Sequence, residues 1–210
     1  MRQADIFLRG EGDRWLERNR AELGVADLGL VDDPVSETIR RLGIKPQHVL
    51  EIGCSNGWRL AALRREYGCD VMGIEPSHAA YLEAATKEVP VFGGATAAAL
   101  PVLSRQYDLV IYGFCLYLVD PADWFKVVAE GDRALKSGGY LIVYDFAELG
   151  DGVWGRRYEH CDGVVSYHAD FAKLWLGNPL YLEASRHIAS NGHMVTVLRK
   201  MAIEEIEVLP

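Results

Sequence analysis

Two acids and a pair of glycines carry the first chemical signal in this chain. Residues 49–52 form a short apolar run containing Glu51, and they lead straight into Gly53-Cys54-Ser55-Asn56-Gly57. A helical pattern starts at Trp58. A strand, a glycine turn and a helix in immediate succession make a seat for a nucleotide-like ligand. Glu75 stands 18 residues after Gly57, just past a second apolar run at 71–74. An acid at that place accepts hydrogen bonds from ribose hydroxyls. The turn is no dinucleotide seat: the middle position of G-x-G-x-x-G holds Ser55, and Leu60 stands where the third glycine would be. No G-K-[S/T] follows, so it is no phosphate loop either.

The elements that must hold these residues alternate. Strands are expected at 48–52, 70–74, 90–92, 107–112 and 140–144, with the apolar fourth run suiting a sheet buried on both faces. Helices are expected at 58–66, 77–88 and 121–135, the last stopped by Lys136-Ser137-Gly138-Gly139. Before the first strand come an amphipathic helix near 13–22, a glycine-bearing loop to Asp33-Pro34, and a helix from 35 to a stop at Gly43. Right-handed crossovers make this an α/β, doubly wound, Rossmann-like sheet. After 150 the rhythm changes to a polar, aromatic loop at 151–167 and a helix at 169–176. Two strand patterns at 181–189 and 193–200 are then joined by Ser190-Asn191-Gly192, and Asn-Gly is a strong hairpin signal. The mainly parallel seven-stranded sheet should therefore end in an antiparallel hairpin. Residues 1–210 read as a single domain, with 1–33 as an N-terminal helical lid and 147–180 as an insert on the substrate side.

Composition narrows the partners. The formal net charge is −8, which offers no basic field for a nucleic acid or an anionic membrane. No apolar run approaches the roughly 20 residues of a membrane span, and no signal region opens the chain, so a cytoplasmic protein is expected. Four cysteines without C-x-x-C spacing and six histidines without an H-x-x-x-H pair suggest reduced thiols and no metal site.

Four stretches in order resemble the class I S-adenosylmethionine-dependent methyltransferases, small-molecule type. They are residues 49–57, 73–77, 107–110 and 135–141. The resemblance implies S-adenosylmethionine as cofactor and S-adenosylhomocysteine as product. It implies that the turn Gly53, Cys54, Ser55 and Gly57 passes under the methionine moiety, with Glu51 anchoring that end. Glu75 would take the ribose hydroxyls, Ile74 and Pro76 would flank the adenine, and Gly113 and Phe114 would line the methyl exit. One departure stands out. Many members carry an acid for the adenine amino group where this chain has Thr96, followed by Ala97.

Methyl transfer is an in-line displacement, so the protein must align the acceptor and, for a hydroxyl, remove a proton. His160 and His168 are the candidate general bases, and Asp145 could orient a base or the acceptor. Trp15, Arg18, Tyr117, Tyr158 and Tyr167 are candidates for substrate contact. Each of these side chains also has a plainer reading in packing, capping or surface exposure, which is the favoured one for the two histidines, Tyr117, Trp15 and Arg18. A small-molecule acceptor is expected, a sugar or natural-product-like metabolite methylated on oxygen. Two other readings stand beside it: a non-catalytic cofactor-binding or scaffold protein and, more distantly, a nicotinamide oxidoreductase. Oligomeric state is left open.

Overall fold

The computed structural model describes residues 1–27, 33–148, 150, 152–202 and 204. A seven-stranded sheet runs in the order β3-β2-β1-β4-β5-β9-β8. Its parallel part is β1 (His48–Ile52), β2 (Asp70–Glu75), β3 (Val91–Gly93), β4 (Tyr107–Gly113) and β5 (Leu135–Phe146). The antiparallel hairpin β8 (Tyr181–Ile188) and β9 (His193–Lys200) closes one edge. This is the expected α/β architecture.

Successive strand residues point to opposite faces, and both faces are apolar. Leu50, Ile52, Val110, Tyr112, Leu141 and Val143 feed one layer, covered by α7 (Trp124–Ala134) and by Trp175 of α8 (Lys173–Leu176). Val49, Leu109, Ile111, Ile142, Val195 and Val197 feed the other. That layer is covered by α4 (Pro34–Arg41), α5 (Trp58–Tyr67) and Ala84 of α6 (His78–Thr86).

Four local expectations are corrected. Instead of one helix at 13–22, the N-terminal segment is a chain of short ones. These are α1 (Gln3–Ile6), a π-helical turn (Phe7–Glu11), α2 (Gly12–Arg18) and α3 (Arg20–Asp27). Gly10 sits at φ 132° inside this run, a conformation open to glycine, and bends it. The loop leading to Asp33 falls partly on residues 28–32, which lie outside the described residues. The supposed helix stop at 136–139 is part of β5, because α7 already ends at Ala134. The polar loop at 151–167 contains a second antiparallel hairpin, β6 (Trp154–Arg157) with β7 (Val165–His168). The helix expected at 169–176 shrinks to the single turn of α8.

Candidate functional site

A cleft partly open to solvent lies over the carboxyl ends of β1, β2 and β4. Open α/β sheets bind their ligands at this end. Gly53, Ser55, Glu75, Pro76, Thr96, Ala97, Gly113, Phe114 and Trp15 all line it. Nine of the expected site residues thus share one wall system. The sequence reading missed Phe7 and Gly12 from the N-terminal helices and Leu118, Val119 and Asp120 from the turn after β4. The apolar run Ile6-Phe7-Leu8 between charged residues was the available signal for the first of these.

Glu75 is the centre of the cleft's polarity. Its Oε2 accepts from the Ser55 N–H at 2.8 Å and its Oε1 from the Ser77 N–H at 2.9 Å. Each oxygen keeps lone-pair capacity for a further donor, the geometry that two vicinal hydroxyls would satisfy. Burial pushes its carboxyl up to about 7, against the pull of those two N–H groups.

The glycine turn spends its own donors. Gly53 and Cys54 N–H groups point to the Ile74 carbonyl, and the Gly57 N–H points to that of Cys54. Added to Ser55 on Glu75, this leaves little for a phosphate, and no Lys, Arg or His lines the cleft among the described residues. A pyrophosphate ligand therefore lacks both donors and counter-charge. A sulfonium nucleoside fits. It asks for a diol acceptor (Glu75), apolar walls for a base (Ile74, Pro76, Ala97, Leu118) and polar atoms still unsatisfied nearby. The Ser55 hydroxyl and Glu51 Oε2 are such atoms, buried without hydrogen-bond partners.

Three expected cofactor residues stand behind the cleft wall. Glu51 is buried and bonded through Oε1 to Arg59. Cys54 points into the apolar layer below. Gly57 takes φ 73° at the start of α5, where a side chain would press on Val89 and Ala84 at 3.1–3.2 Å.

Four of the residues expected to contact substrate come together in pairs. Trp15 Nε1 donates to the Tyr117 hydroxyl at 3.3 Å, and Arg18 donates to the Tyr158 hydroxyl at 3.1 Å. Phe114 links the first pair to the cleft. Its ring lies 5.0 Å from Tyr117 and 4.9 Å from Phe146, and its backbone holds φ 60°, rare for a bulky residue. Tyr167 lies elsewhere, edge-on to Trp124.

The three catalytic candidates are not in the cleft wall. His160 is exposed beside Tyr158. His168 is stacked between Trp154 at 3.9 Å and Phe146 at 4.4 Å, and burial lowers its basicity. Asp145 accepts from the backbone N–H groups of Leu116, Tyr117 and Phe146, so it caps the turn after β4. Burial lifts its carboxyl to about 7.

Residues 50–143 match the family model described as "Methyltransferase domain". The match covers less than half of the chain, and it spans the strands and turns that build the cleft. Among solved structures, the 1,6-didemethyltoxoflavin-N1-methyltransferase of Burkholderia thailandensis, with S-adenosylhomocysteine bound, superposes with a TM-score of 0.72. It is 18% identical, over 94% of this chain and 88% of that one. A SAM-dependent methyltransferase of Methanosarcina mazei gives 0.62 at 18% identity, over 81% of this chain and 99% of that one. A Mycobacterium protein (strain KMS) named "Putative O-methyltransferase" is 32% identical over 46% of this chain and 47% of its own length. The chain spans about half the length of the curated relatives it matches. The matched methyltransferase segment contains the cofactor-side candidates together with Tyr117. Trp15, Arg18, Asp145, Tyr158, His160, Tyr167 and His168 fall outside it.

Proposed function

We propose that this protein binds S-adenosylmethionine and transfers its methyl group to a small-molecule acceptor, a hydroxyl of a sugar or natural-product-like metabolite. The observation that carries this reading is Glu75. It is a buried carboxylate facing a cleft lined by no Lys, Arg or His among the described residues, with each oxygen already held by one backbone N–H. When bound, the cofactor supplies a methyl group activated on sulfonium. Gly53 and Gly113 let it lie close to the backbone, and Glu75 fixes the ribose. Trp15, Tyr117, Arg18 and Tyr158 cover the acceptor side and keep water out. The expected bases His160, His168 and Asp145 are not among the cleft-lining residues, so the transfer rests on alignment of acceptor and methyl group, and the acceptor's hydroxyl proton leaves to solvent through the open side of the cleft.

That same observation favours one rival, a protein that binds the cofactor and transfers nothing. Release of S-adenosylhomocysteine with any member of an acceptor panel of sugars and phenols excludes the rival. Calorimetry with S-adenosylmethionine tests the common ground, and absence of binding at millimolar ligand sinks both. Glu75→Ala is expected to weaken binding by about 1.5–3 kcal/mol, the worth of a hydrogen bond to a charged group. An unchanged dissociation constant rejects the ribose role.

A further inference from the structure

One wall of the cleft is built of rings. Phe7, Trp15 and Phe114 line it. Phe114 sits beside the glycine turn: a Cβ on Gly53 would meet the Cβ of Cys115, the next residue along, at 2.6 Å. Four further rings back Phe114. They are His193 at 4.5 Å, Phe146 at 4.9 Å, Tyr117 at 5.0 Å and Tyr144 at 5.7 Å. Tyr117 in turn holds the Trp15 indole on its hydroxyl. A continuous aromatic surface thus joins α2 to the ends of β4 and β5 and the start of β9.

The polar tips of this wall bond to one another. Trp15 Nε1 donates to Tyr117, and the Tyr144 hydroxyl accepts from Asn191 at 2.7 Å and bonds to His193 Nδ1 at 3.2 Å. The lining hydroxyls of Ser55 and Thr96 stand among the expected cofactor residues. Besides Glu75, the lining carboxylates Asp120 and Asp123 are bonded to the Gln3 N–H and to Arg2 at the α1 end. A sugar brings several hydroxyls, and each one buried without a partner costs free energy. A flat aromatic ring makes no such demand and gains from stacked and edge contacts with other rings. Acidity points the same way. No Lys, Arg or His lines the cleft among the described residues, so the acceptor gives its proton to water. A phenol ionises with a pKa of about 10, as tyrosine does, which leaves roughly one molecule in a thousand as phenolate at pH 7. An aliphatic alcohol, close to the value of about 15.7 for water, leaves on the order of one in a billion.

We propose that the acceptor is a flat aromatic hydroxyl, seated against the Phe114–Trp15 wall and attacking as its phenolate. The inference rests on the proposed methyl transfer and narrows the acceptor to one chemical class. The acceptor O–H loses its proton to water at the open side of the cleft. The phenolate oxygen then bonds to the methyl carbon while the carbon–sulfur bond breaks, its electron pair staying on sulfur. The products are an aryl methyl ether and S-adenosylhomocysteine. Phe114 is in this scheme a specificity-determining residue: it holds the acceptor's ring, and the acceptor's own acidity supplies the nucleophile.

The test measures S-adenosylhomocysteine release by the full chain with two matched acceptor sets, beside calorimetry with S-adenosylmethionine. One set holds phenols, naphthols and hydroxycoumarins. The other holds cyclohexanols, decahydronaphthols and methyl glycosides, which keep a hydroxyl and lose the aromatic ring. Release is expected with members of the first set alone. Phe114→Gly, which suits the backbone φ of 60°, should raise KM for the best phenol roughly tenfold and leave the dissociation constant of S-adenosylmethionine unchanged. Phe114→Tyr, which keeps the ring, should restore the wild-type KM. A cofactor dissociation constant that rises in step with KM would mark a merely structural role for Phe114 and overturn its assignment. Release with a glycoside or a saturated alcohol overturns the inference and leaves the methyl-transfer reading standing. Protein that binds S-adenosylmethionine and releases nothing with either set also overturns it. Protein that does not bind S-adenosylmethionine overturns the cofactor reading and this inference with it.

Discussion

At the scale of single residues, the acids decide how the cleft behaves with pH. Burial holds Glu75 near 7, far above an ordinary carboxylate, so part of the population is protonated at neutral pH. Two ribose hydroxyls donate into the ionised form, and binding must therefore expel that proton when it is present. Affinity for S-adenosylmethionine should fall as pH drops through about 7, by up to about tenfold per unit below it. Burial raises Glu51 as well, with Arg59 opposing, so its effect carries the same sign. Asp13, lowered first by its bond from Ser77, stays ionised across the range and adds no slope. Calorimetry from pH 5.5 to 8.5, in buffers of different ionisation enthalpy, should register proton release at the acid end. A flat profile in wild-type protein refutes the scheme. Glu75 and the glycine turn were readable because their signal is local: an apolar run, then an acid or a glycine at a fixed offset. The buried ion pairs of Arg59 with Asp33 and Glu51 were not, since they join residues 26 and 8 positions apart through side chains that point inward. The position of the histidines away from the cleft wall was hidden for a similar reason. Composition can show that a base is available, while stacking on Trp154 is decided by cross-strand register.

At the scale of elements, the cleft depends on how α2 sits on α6. Asp13 accepts from the Ser77 hydroxyl at 2.6 Å and from the Ala79 N–H at 3.1 Å, so a residue of α2 helps cap α6. Gly12 makes the approach possible: a Cβ there would lie 3.1 Å from the Ser77 backbone. Both contacts are made beside Pro76, on the cleft rim. Asp13→Ala should cost about 1 kcal/mol of stability, as for a lost helix cap. Gly12→Leu should push α2 off α6 and speed cofactor dissociation in stopped-flow measurements, with a smaller change in the association rate. Equal off-rates in wild type and Gly12→Leu would show that α2 does not retain the ligand. The repeating strands and helices between residues 48 and 146 were legible to within a few residues at most ends, because apolar periodicity reports burial directly. β5 began earlier than expected, since glycines that usually stop a helix can also sit in an irregular strand start. The N-terminal helices and the β6–β7 hairpin were misjudged. All four β6 residues are exposed, so its pairing leaves no alternation in the sequence to read.

At the scale of the whole molecule, residues from opposite ends of the chain meet over one face of the sheet. The Gln3 side chain donates to the Leu118 carbonyl and accepts from the Val165 N–H, while its backbone N–H points to Asp120. Arg18 reaches Glu11 and Tyr158. The N-terminal helices and the β6–β7 hairpin are thus stitched to each other and to the turn after β4. A ligand in the cleft would touch the helices at Phe7, Gly12 and Trp15, whereas no hairpin residue lines the cleft among the described residues. Any protection of the hairpin on binding must then pass through the stitches. Hydrogen exchange should show S-adenosylhomocysteine slowing residues 3–18 and 154–168 together in wild-type protein. The double variant Gln3→Ala/Arg18→Ala removes the Val165 and Tyr158 cross-links and leaves the cleft-lining side chains in place. In that variant, protection should persist in 3–18 and fade from 154–168. Protection of the hairpin that survives would mean that it responds to the sheet beneath it, through the stacking of His168 on Phe146. Loss from both segments would mean that the helices need the hairpin to stay closed.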